Sequence, residues 1–312
     1  MQHNERVKGC GIQGQGQFVH DASHQPGLSY LPYLVTGDYF YLEELQFWVA
    51  SNPLETDPSY RGYEKGLLKW DQVRAQAWSM RTLGQAAYIT PDTHPAKSYY
   101  NTMVAENLSY YNTMYTIGNQ NQIGILNSFI NYDTIKGPQT GYAAWQDDFF
   151  TWSIGYLDEL GFTDAHQLLV WKSKFSVGRM TGPSYCWIMG SPYFLTVRET
   201  SSSPIYTTFA ESYLATFSEI GKDGTKLTEK ACGSQAMTDW VKASTGYIYL
   251  SAGEMVGYST SDTGFPSNMQ IGLSAAANTG IPNARAAWIT FMNRANKPDY
   301  SSGPQFALVP RN

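Results

Sequence analysis

The feature of this chain that most constrains its fold is a repeated pattern of two helices joined by a short turn. In the segment 26–51, a run ending at Gly37 is followed by a second run from Asp38 to Ser51. Apolar residues of the second run recur at the spacing of one helix face, and Asp38 is a residue type favoured at a helix N-cap. The plan recurs along the chain, with turns predicted near Gly37, Pro91, Phe162, Gly221 and Gly280.

These turns are separated by 54, 71, 59 and 59 residues. The similar spacing predicts an all-α fold of about five α/α hairpins, and an irregular helical bundle is the alternative. Pro32 falls inside the first predicted helix, where proline kinks or shortens a helix. Strand signals are few, although the segment GYIYLSAG beginning at Gly246 fits a short strand or a loop. We expect one domain over residues 1–312, with residues 1–19 as a flexible N-terminal segment.

Composition narrows the class of ligand. The net charge is −5 and the sequence has no run of Lys or Arg, which argues against nucleic acid as a partner. No apolar stretch approaches the roughly 18–20 residues needed to span a bilayer. Charged residues make up only 15% of the chain, whereas 23 Tyr and 9 Trp are present. Such a surface suits hydrogen bonding and stacking to a neutral or weakly charged polar ligand, and a tyrosine-rich core is the alternative interpretation.

The N-terminal sequence and the cysteines bear on cellular context. The opening residues lack the apolar region of a signal peptide and lack a strong structural start. One interpretation is that the chain is the C-terminal part of a longer, extracytoplasmic protein.

The three cysteines, Cys10, Cys186 and Cys232, are odd in number and widely spaced, which indicates neither a disulfide framework nor a zinc motif. The sequence leaves open whether two of these three cysteines form a single disulfide.

Two consecutive stretches carry a family resemblance. HQPGLSYLPYLVTGDYFYLEELQFW, residues 24–48, and WDQVRAQAWSMRTLGQAAYITPD, residues 70–92, resemble hairpins of the (α/α) toroid of six-hairpin glycosidases and toroidal polysaccharide lyases. The resemblance covers most of the chain as a pattern and includes no family-defining catalytic signature. It implies a ring whose sixth hairpin is missing or lies upstream, and an enzyme that cleaves a polysaccharide or oligosaccharide without a cofactor.

The resemblance also implies that the site lies at one end of the barrel, around the starts of the inner helices. If the first helix of each hairpin is the inner one, these starts are HDASHQP, LKWDQVRAQ, TGYAAWQDDFF, SSPIYTTFAES and TGFPSNMQ, and the long connection 181–199 lies on the same side. These segments are rich in aromatic and polar residues, whereas the opposite turns are plain. Functional residues commonly concentrate on one face of a rigid scaffold.

Aromatic and polar residues of these segments are the candidates for substrate binding. Tryptophan and tyrosine rings stack on the apolar faces of sugars, and amide or guanidinium groups hydrogen-bond to hydroxyls. A packing role for the same rings at helix ends is the alternative. The predicted substrate-binding residues are Trp70, Gln72, Arg74, Trp145, Gln146, Tyr185, Trp187 and Tyr206.

The catalytic candidates differ between the two enzyme classes. A glycoside hydrolase needs two carboxyl groups about 5–10 Å apart. Asp147 and Asp148 are adjacent and point roughly 100° apart on a helix, so we pair one of them with Asp71 or Asp21. Acids at a helix N-terminus are also favoured by the helix dipole alone.

A polysaccharide lyase instead needs a base, an acid and a group that neutralises the uronate carboxylate. His20, His24, Tyr142 and Tyr206 are the candidate bases and acids, and Arg74 and Gln146 are the candidate neutralising groups.

His20, Asp21 and His24 could also be read as a metal site, since two histidines four apart share one helix face. Pro26 indicates that the helix starts after them, so no metal site is predicted. Together the predicted catalytic residues are His20, His24, Asp71, Tyr142, Asp147 and Asp148.

The most specific expectation is that GYAAWQDDFF faces HDASH and KWDQVRAQ across one cleft. Gln146 and one of the two adjacent aspartates are then expected to reach the ligand, and the other aspartate to cap backbone or pair with an arginine. The alternative function, from a different class, is a non-catalytic glycan-binding or structural module of a larger cell-surface or virion protein.

Overall fold

The computed structural model describes residues 21–25, 27–118, 121–245 and 249–311, and this part of the chain is mostly helical. The segment 1–19 and His20 lie outside the described residues, as does Gly246. The α-helices are α1 Tyr30–Thr36, α2 Tyr39–Leu54, α3 Val73–Ile89, α4 Lys97–Tyr111, α5 Ala144–Glu159, α6 Asp164–Thr181, α7 Phe209–Phe217, α8 Gln235–Thr245, α9 Phe265–Ala277 and α10 Ala284–Met292. The prediction of a largely helical fold is confirmed.

Most predicted turns separate the helices as expected. Gly37 ends α1 with a φ of 68°, and Gly280 lies between α9 and α10 with a φ of 72°. Pro91 follows the end of α3, and Phe162 lies between α5 and α6. Near Gly221 the chain differs, because α7 and α8 are joined by a long connection that contains a short 3-10 turn rather than by a tight turn.

Pro32 was expected to kink or shorten the first predicted helix, and α1 is shorter than the predicted run 26–37. Helix α1 begins at Tyr30, so Pro32 lies in its first turn. The first backbone N–H groups of a helix have no partner within the helix, so a proline there costs no hydrogen bond. Pro32 therefore lies at a helix position where proline is tolerated.

Helix α5 is the centre of the packing. It packs against α3 on one side and α9 on the other, and α6 packs against α5 and α9. Helix α4 contacts α3 and α6, and α10 contacts α6 and α9. Helices α1 and α2 pack against α3 at the other edge of this arrangement.

Small residues allow α5 to approach its neighbours closely. A Cβ atom at Gly84 of α3 would lie 2.8 Å from a methyl carbon of Leu157, and one at Gly155 would lie 2.7 Å from the Cβ of Ala275. Protein interiors pack as densely as crystals of small organic molecules. Larger residues at either position would therefore push the two helices apart. These contacts lie in the last turns of α3, α5 and α9, so the close packing brings the ends of the three helices together.

A small antiparallel sheet lies next to the start of α5 and was missed by the sequence analysis. Its strands are β1 Tyr132–Thr134, β2 Gly137–Tyr142 and β3 Leu195–Thr196, in the order β1-β2-β3. Tyr132 is paired with Gly141, and Gly141 with Thr196. The strands are two to six residues long, too short to show the alternating pattern from which strands are predicted. The all-α expectation is therefore corrected: the described part of the chain is mostly helical and contains one small sheet.

Cys186 and Cys232 form a disulfide, with their Cα atoms 5.3 Å apart. The bridge ties the connection between α6 and β3 to the turn that precedes α8. The bridge is one of the pairings that the sequence left open.

Across the described ranges, no helix combines the length and the apolar character that crossing a bilayer requires.

Candidate functional site

The starts of α3, α5 and α9 meet in a cluster of aromatic and polar side chains. Helix α3 contributes Arg74, helix α5 contributes Trp145 and Gln146, and helix α9 contributes Phe265. Strand β1 and the loop before β3 add two tyrosines. We call this set the Trp145 cluster; its members are Arg74, Tyr132, Trp145, Gln146, Tyr193 and Phe265.

Polar contacts connect three members of the cluster across two helices and a strand. The backbone N–H of Arg74 donates to Oε1 of Gln146 at 3.4 Å, and Nε2 of Gln146 donates to the hydroxyl of Tyr132 at 2.9 Å. The guanidinium of Arg74 lies 5.0 Å from the ring centroid of Trp145, within cation–π range. A cation, an amide and a phenol are thus fixed beside one indole ring.

The aromatic members form a continuous set of ring contacts. Trp145 lies 5.8 Å from Tyr193 and 6.2 Å from Phe265, measured between ring centroids, and Tyr193 lies 5.7 Å from Phe265. Tyr258 extends the set with a ring 6.4 Å from Phe265. Trp145 is half-buried, whereas Tyr193 is 47% exposed and Tyr258 is 63% exposed. The cluster therefore has a packed base and an aromatic surface open to solvent.

The environment of Tyr132 keeps its hydroxyl protonated at neutral pH. Partial burial and the neighbouring hydroxyl of Tyr193 raise the pKa of Tyr132 to about 12, against the opposing effect of Arg74 and Gln146. A phenol in this state donates a hydrogen bond or a proton and does not act as a base near pH 7.

Several buried polar atoms around the starts of these helices have no hydrogen-bond partner among the described residues. Two of them belong to the cluster, Nε of Arg74 and Nε1 of Trp145, and two lie next to it, Oε1 of Gln72 and Oδ1 of Asn268. Leaving such groups unpaired costs free energy. Unpaired atoms of this kind also occur elsewhere in the described residues, for example in Ser79, Tyr115 and Arg294, so the four support a ligand site here only together with the ring and charge contacts of the cluster.

Asp147 lies behind the cluster in a fully buried ion pair. Lys172 of α6 donates to Oδ2 of Asp147 and also to the carbonyl of Gly124 at 2.7 Å. The hydroxyl of Tyr142 donates to the same carboxylate at 2.5 Å. Neither Asp147 nor Tyr142 has any surface exposed to solvent. Their contacts join α5 to α6 and to strand β2.

Asp148 forms a second buried ion pair, with Arg179 of α6. Arg179 also donates to the carbonyl of Gly190 at 2.7 Å. Burial raises the pKa of Asp148 to about 7, against the opposing effect of the Arg179 charge. The expectation that one of the two adjacent aspartates pairs with an arginine is confirmed. Both carboxylates pair within the protein core and are closed to solvent, so neither faces the open surface of the cluster.

The structure does not bring His24 to the Trp145 cluster. The neighbouring Gln25 accepts hydrogen bonds from Arg81 and Thr82 of α3, at 3.1 Å and 3.3 Å. Arg81 is seven residues beyond Arg74, which is about 10 Å along the helix. The expected convergence of His24 with Arg74 and Trp145 on one cleft is therefore not observed. His20 lies outside the described residues.

His24 itself is exposed, and its Nδ1 lies 2.5 Å from Oδ2 of Asp21. In the described part of the chain, no three His, Cys, Asp or Glu side chains come together as metal ligands. The pair Asp21–His24 therefore acts as a local contact at the end of a 3-10 turn.

The remaining predicted residues occupy several different surroundings. Trp70, Asp71 and Gln72 directly precede α3, and Asp71 is exposed. Tyr185 is buried and donates to the carbonyl of Met189, and Trp187 is half-buried against the core. Tyr206 donates to Glu199 at 2.8 Å and lines a separate groove of about 490 Å³ beside Lys136.

Three cluster members were missed from the sequence: Tyr132, Tyr193 and Phe265. Tyr193 and Phe265 lie in the segments 181–199 and TGFPSNMQ that were expected on this side. No sequence pattern distinguishes them from the other residues among 23 Tyr and 14 Phe.

Comparison with family models, curated proteins and solved structures finds no match to this chain. Its function is therefore inferred from the geometry of the cluster.

Proposed function

We propose that this chain binds a polysaccharide or oligosaccharide at the Trp145 cluster. The observation that carries the proposal is the placement of Arg74, Gln146 and Tyr132 beside Trp145, next to the exposed rings of Tyr193 and Tyr258. Sugar rings present apolar C–H faces to aromatic side chains and hydroxyls to polar groups. Orphan polar atoms near the ring contacts match a ligand of this mixed character.

The charge of the site favours a sugar that carries a carboxylate. Arg74 is positively charged and the cluster contains no acidic residue. The carboxylate of a bound sugar is therefore attracted by Arg74 and meets no negatively charged side chain of the cluster. A guanidinium offers two parallel donors to a carboxylate. We therefore infer that uronate-containing glycans bind more tightly than neutral ones.

We further propose that the helices form part of an incomplete α/α toroid, with α3, α5 and α9 as the inner layer and α4, α6 and α10 as the outer layer. The contacts within and between these two sets support this arrangement. A toroid of this kind presents the starts of its inner helices at one end, where the cluster lies. The Cys186–Cys232 disulfide supports an oxidising, extracytoplasmic location.

A polysaccharide lyase is the second candidate function, and it rests on the same three polar groups. Arg74 and Gln146 can neutralise a uronate carboxylate, and the protonated hydroxyl of Tyr132 can give a proton to the leaving oxygen. The reaction also needs a base that takes the proton α to the carboxylate, and Tyr132 does not supply it, because its raised pKa keeps the hydroxyl protonated at neutral pH. A hydrolase has weaker support, because Asp147 and Asp148 are held in buried ion pairs. Glycan binding is therefore the better supported function, and cleavage by a lyase or a hydrolase stays a prediction.

Binding is tested by titrating the protein with oligouronates and with neutral oligosaccharides in a calorimeter. The variant Trp145→Ala is compared with Trp288→Ala, which removes another half-buried tryptophan from the outer helix α10. We expect Trp145→Ala to weaken binding at least about tenfold and Trp288→Ala to leave it unchanged. Equal losses in both variants, or no binding by the parent protein, would contradict the proposal.

Catalysis is tested separately on the same glycans. A lyase produces an unsaturated uronide with new ultraviolet absorbance, whereas a hydrolase produces reducing ends without that absorbance. Binding without either product supports the non-catalytic glycan-binding module. Absorbance that is lost in Tyr132→Phe, with binding retained, supports the lyase.

A further inference from the structure

Helix α2 carries an apolar stripe on the face that points away from the protein. Phe40, Phe47 and Leu54 are 57%, 59% and 63% exposed. They are seven residues apart, which keeps them on one face of a helix with a drift of only about 20° per step. The buried residues Leu42, Leu45 and Val49 lie on the opposite side and pack towards α3.

The neighbouring helix α1 adds to the exposed apolar surface. Leu31, Leu34 and Val35 have the three- and four-residue spacing of one helix face, and all three are exposed. No residue of α1 is buried. Contiguous apolar surface of this kind is uncommon on a protein unless a partner covers it. We call the exposed faces of the two helices the α1–α2 surface.

The charged residues of α1 and α2 themselves are all acidic, while Arg61 lies at the end of α2, where it donates to the carbonyl of Pro53. Residues 21–60 contain six acidic residues and neither Lys nor Arg. On a helical wheel Glu43 and Glu44 lie on opposite sides of the Phe40–Phe47–Leu54 stripe, at about 40° and 60° from it. In helix pairs, charges that flank an apolar stripe select a partner whose flanks carry the opposite charge.

We propose that the α1–α2 surface binds a basic amphipathic helix of another protein. The stripe on α2 accepts the apolar face of that helix, and Lys or Arg residues on its flanks pair with Glu43 and Glu44. The heptad spacing of Phe40, Phe47 and Leu54 fits a helix lying along α2 in the manner of a coiled coil.

A second copy of this chain is a poorer occupant, because a twofold contact would bring the acidic flanks of two identical stripes together. Like charges opposed at an interface are unfavourable. The surface also differs from the Trp145 cluster, since no member of the cluster belongs to α1 or α2. The inference is therefore independent of the proposed glycan site.

The test uses two synthetic helical peptides with the same leucine stripe, one flanked by lysine and the other by glutamate. Binding to the full chain is followed by fluorescence anisotropy. We expect the lysine-flanked peptide to bind at least about tenfold more tightly than the glutamate-flanked one, with an affinity that falls as salt is added.

Two variants locate the contact. Phe47→Ser should weaken binding of the lysine-flanked peptide at least about tenfold, and the double substitution Glu43→Lys with Glu44→Lys should reverse the preference between the peptides. Tyr88→Ser is the matched control, since Tyr88 is an exposed aromatic residue on α3. Circular dichroism and thermal unfolding check that each variant is folded.

Three outcomes would overturn the proposal. The first is failure of both peptides to bind, or equal binding of the two. The second is concentration-dependent dimerisation in analytical ultracentrifugation that Phe47→Ser abolishes, which identifies a second copy as the occupant. The third is binding to phospholipid vesicles that Phe47→Ser abolishes, with no peptide preference, which identifies a lipid surface.

Discussion

The guanidinium of Arg74, near the start of α3, lies 5.0 Å from the ring centroid of Trp145, at the start of α5. The two residues are 71 positions apart, and the close packing of α3 on α5 brings them together. The contact leaves Nε of Arg74 buried and without a partner among the described residues. Arg74 thus combines a stacking contact with unused capacity to donate hydrogen bonds.

Replacing Arg74 should discriminate between acidic and neutral glycans. We expect Arg74→Gln to weaken binding of an oligouronate about 10- to 100-fold, because a charge-assisted hydrogen bond is lost, and to weaken binding of a neutral oligosaccharide much less. Arg74→Lys should be intermediate, since it keeps the charge and loses the planar stack. Calorimetric titration measures all three, with Arg311→Gln at the other end of α5 as the control. A similar loss for both glycans would show that Arg74 supports folding of the site rather than the charge contact.

Replacing Asp147 should lower stability. Asp147→Asn leaves Lys172 charged and buried without its partner, which typically costs about 3–5 kcal/mol of the free energy of unfolding. Asp158→Asn breaks the partly exposed contact with His166 and should cost less than about 1 kcal/mol. Urea unfolding of the two variants gives both values. A stable Asp147→Asn protein that fails to turn over glycan would instead return Asp147 to the role of a catalytic group.

Asp148 should make stability depend on pH. Its pKa is about 7 in the folded protein, above the ordinary value of 3.8 for an aspartate, because burial disfavours the charged form. The folded state therefore binds more protons than the unfolded state between about pH 4 and pH 7. The contribution of this group to the free energy of unfolding is complete below about pH 4 and is lost as pH rises to about 7.

The measurement compares the parent protein with Asp148→Asn by urea unfolding at several pH values. The parent should lose stability relative to the variant between about pH 4 and pH 7, and the difference should be constant above that range. A parent protein that gains stability relative to the variant as pH rises would show that pairing with Arg179 outweighs burial.

Reduction of the Cys186–Cys232 disulfide should destabilise the protein. Cys232→Ser is expected to lower the free energy of unfolding by about 2–4 kcal/mol, because the bridge closes a long loop in the unfolded chain. Dithiothreitol should have the same effect on the parent protein and no effect on the variant. Non-reducing peptide mapping gives the pairing directly, and a bridge that includes Cys10 would contradict the assignment.

The positions of most helices were predictable, because the signals that set them are local. Asp38 accepts a hydrogen bond from the backbone N–H of Phe40 at the start of α2, and Gly37 and Gly280 adopt the positive φ that their turns require. Each of these signals involves residues within a few positions of one another. The sheet was missed because its short strands are defined by pairing with distant residues such as Thr196.

The sequence by itself determined the helical class, four of the five turns and the general location of a polar, aromatic end. The tertiary structure decided which residues of that end meet. Asp147 and Trp145 are two positions apart and both begin α5, yet Asp147 is buried against Lys172 and Trp145 contacts Tyr193. Side chains two positions apart point in different directions around a helix, so their surroundings depend on which elements pack on each face. That choice follows from contacts between distant segments, which no local pattern specifies.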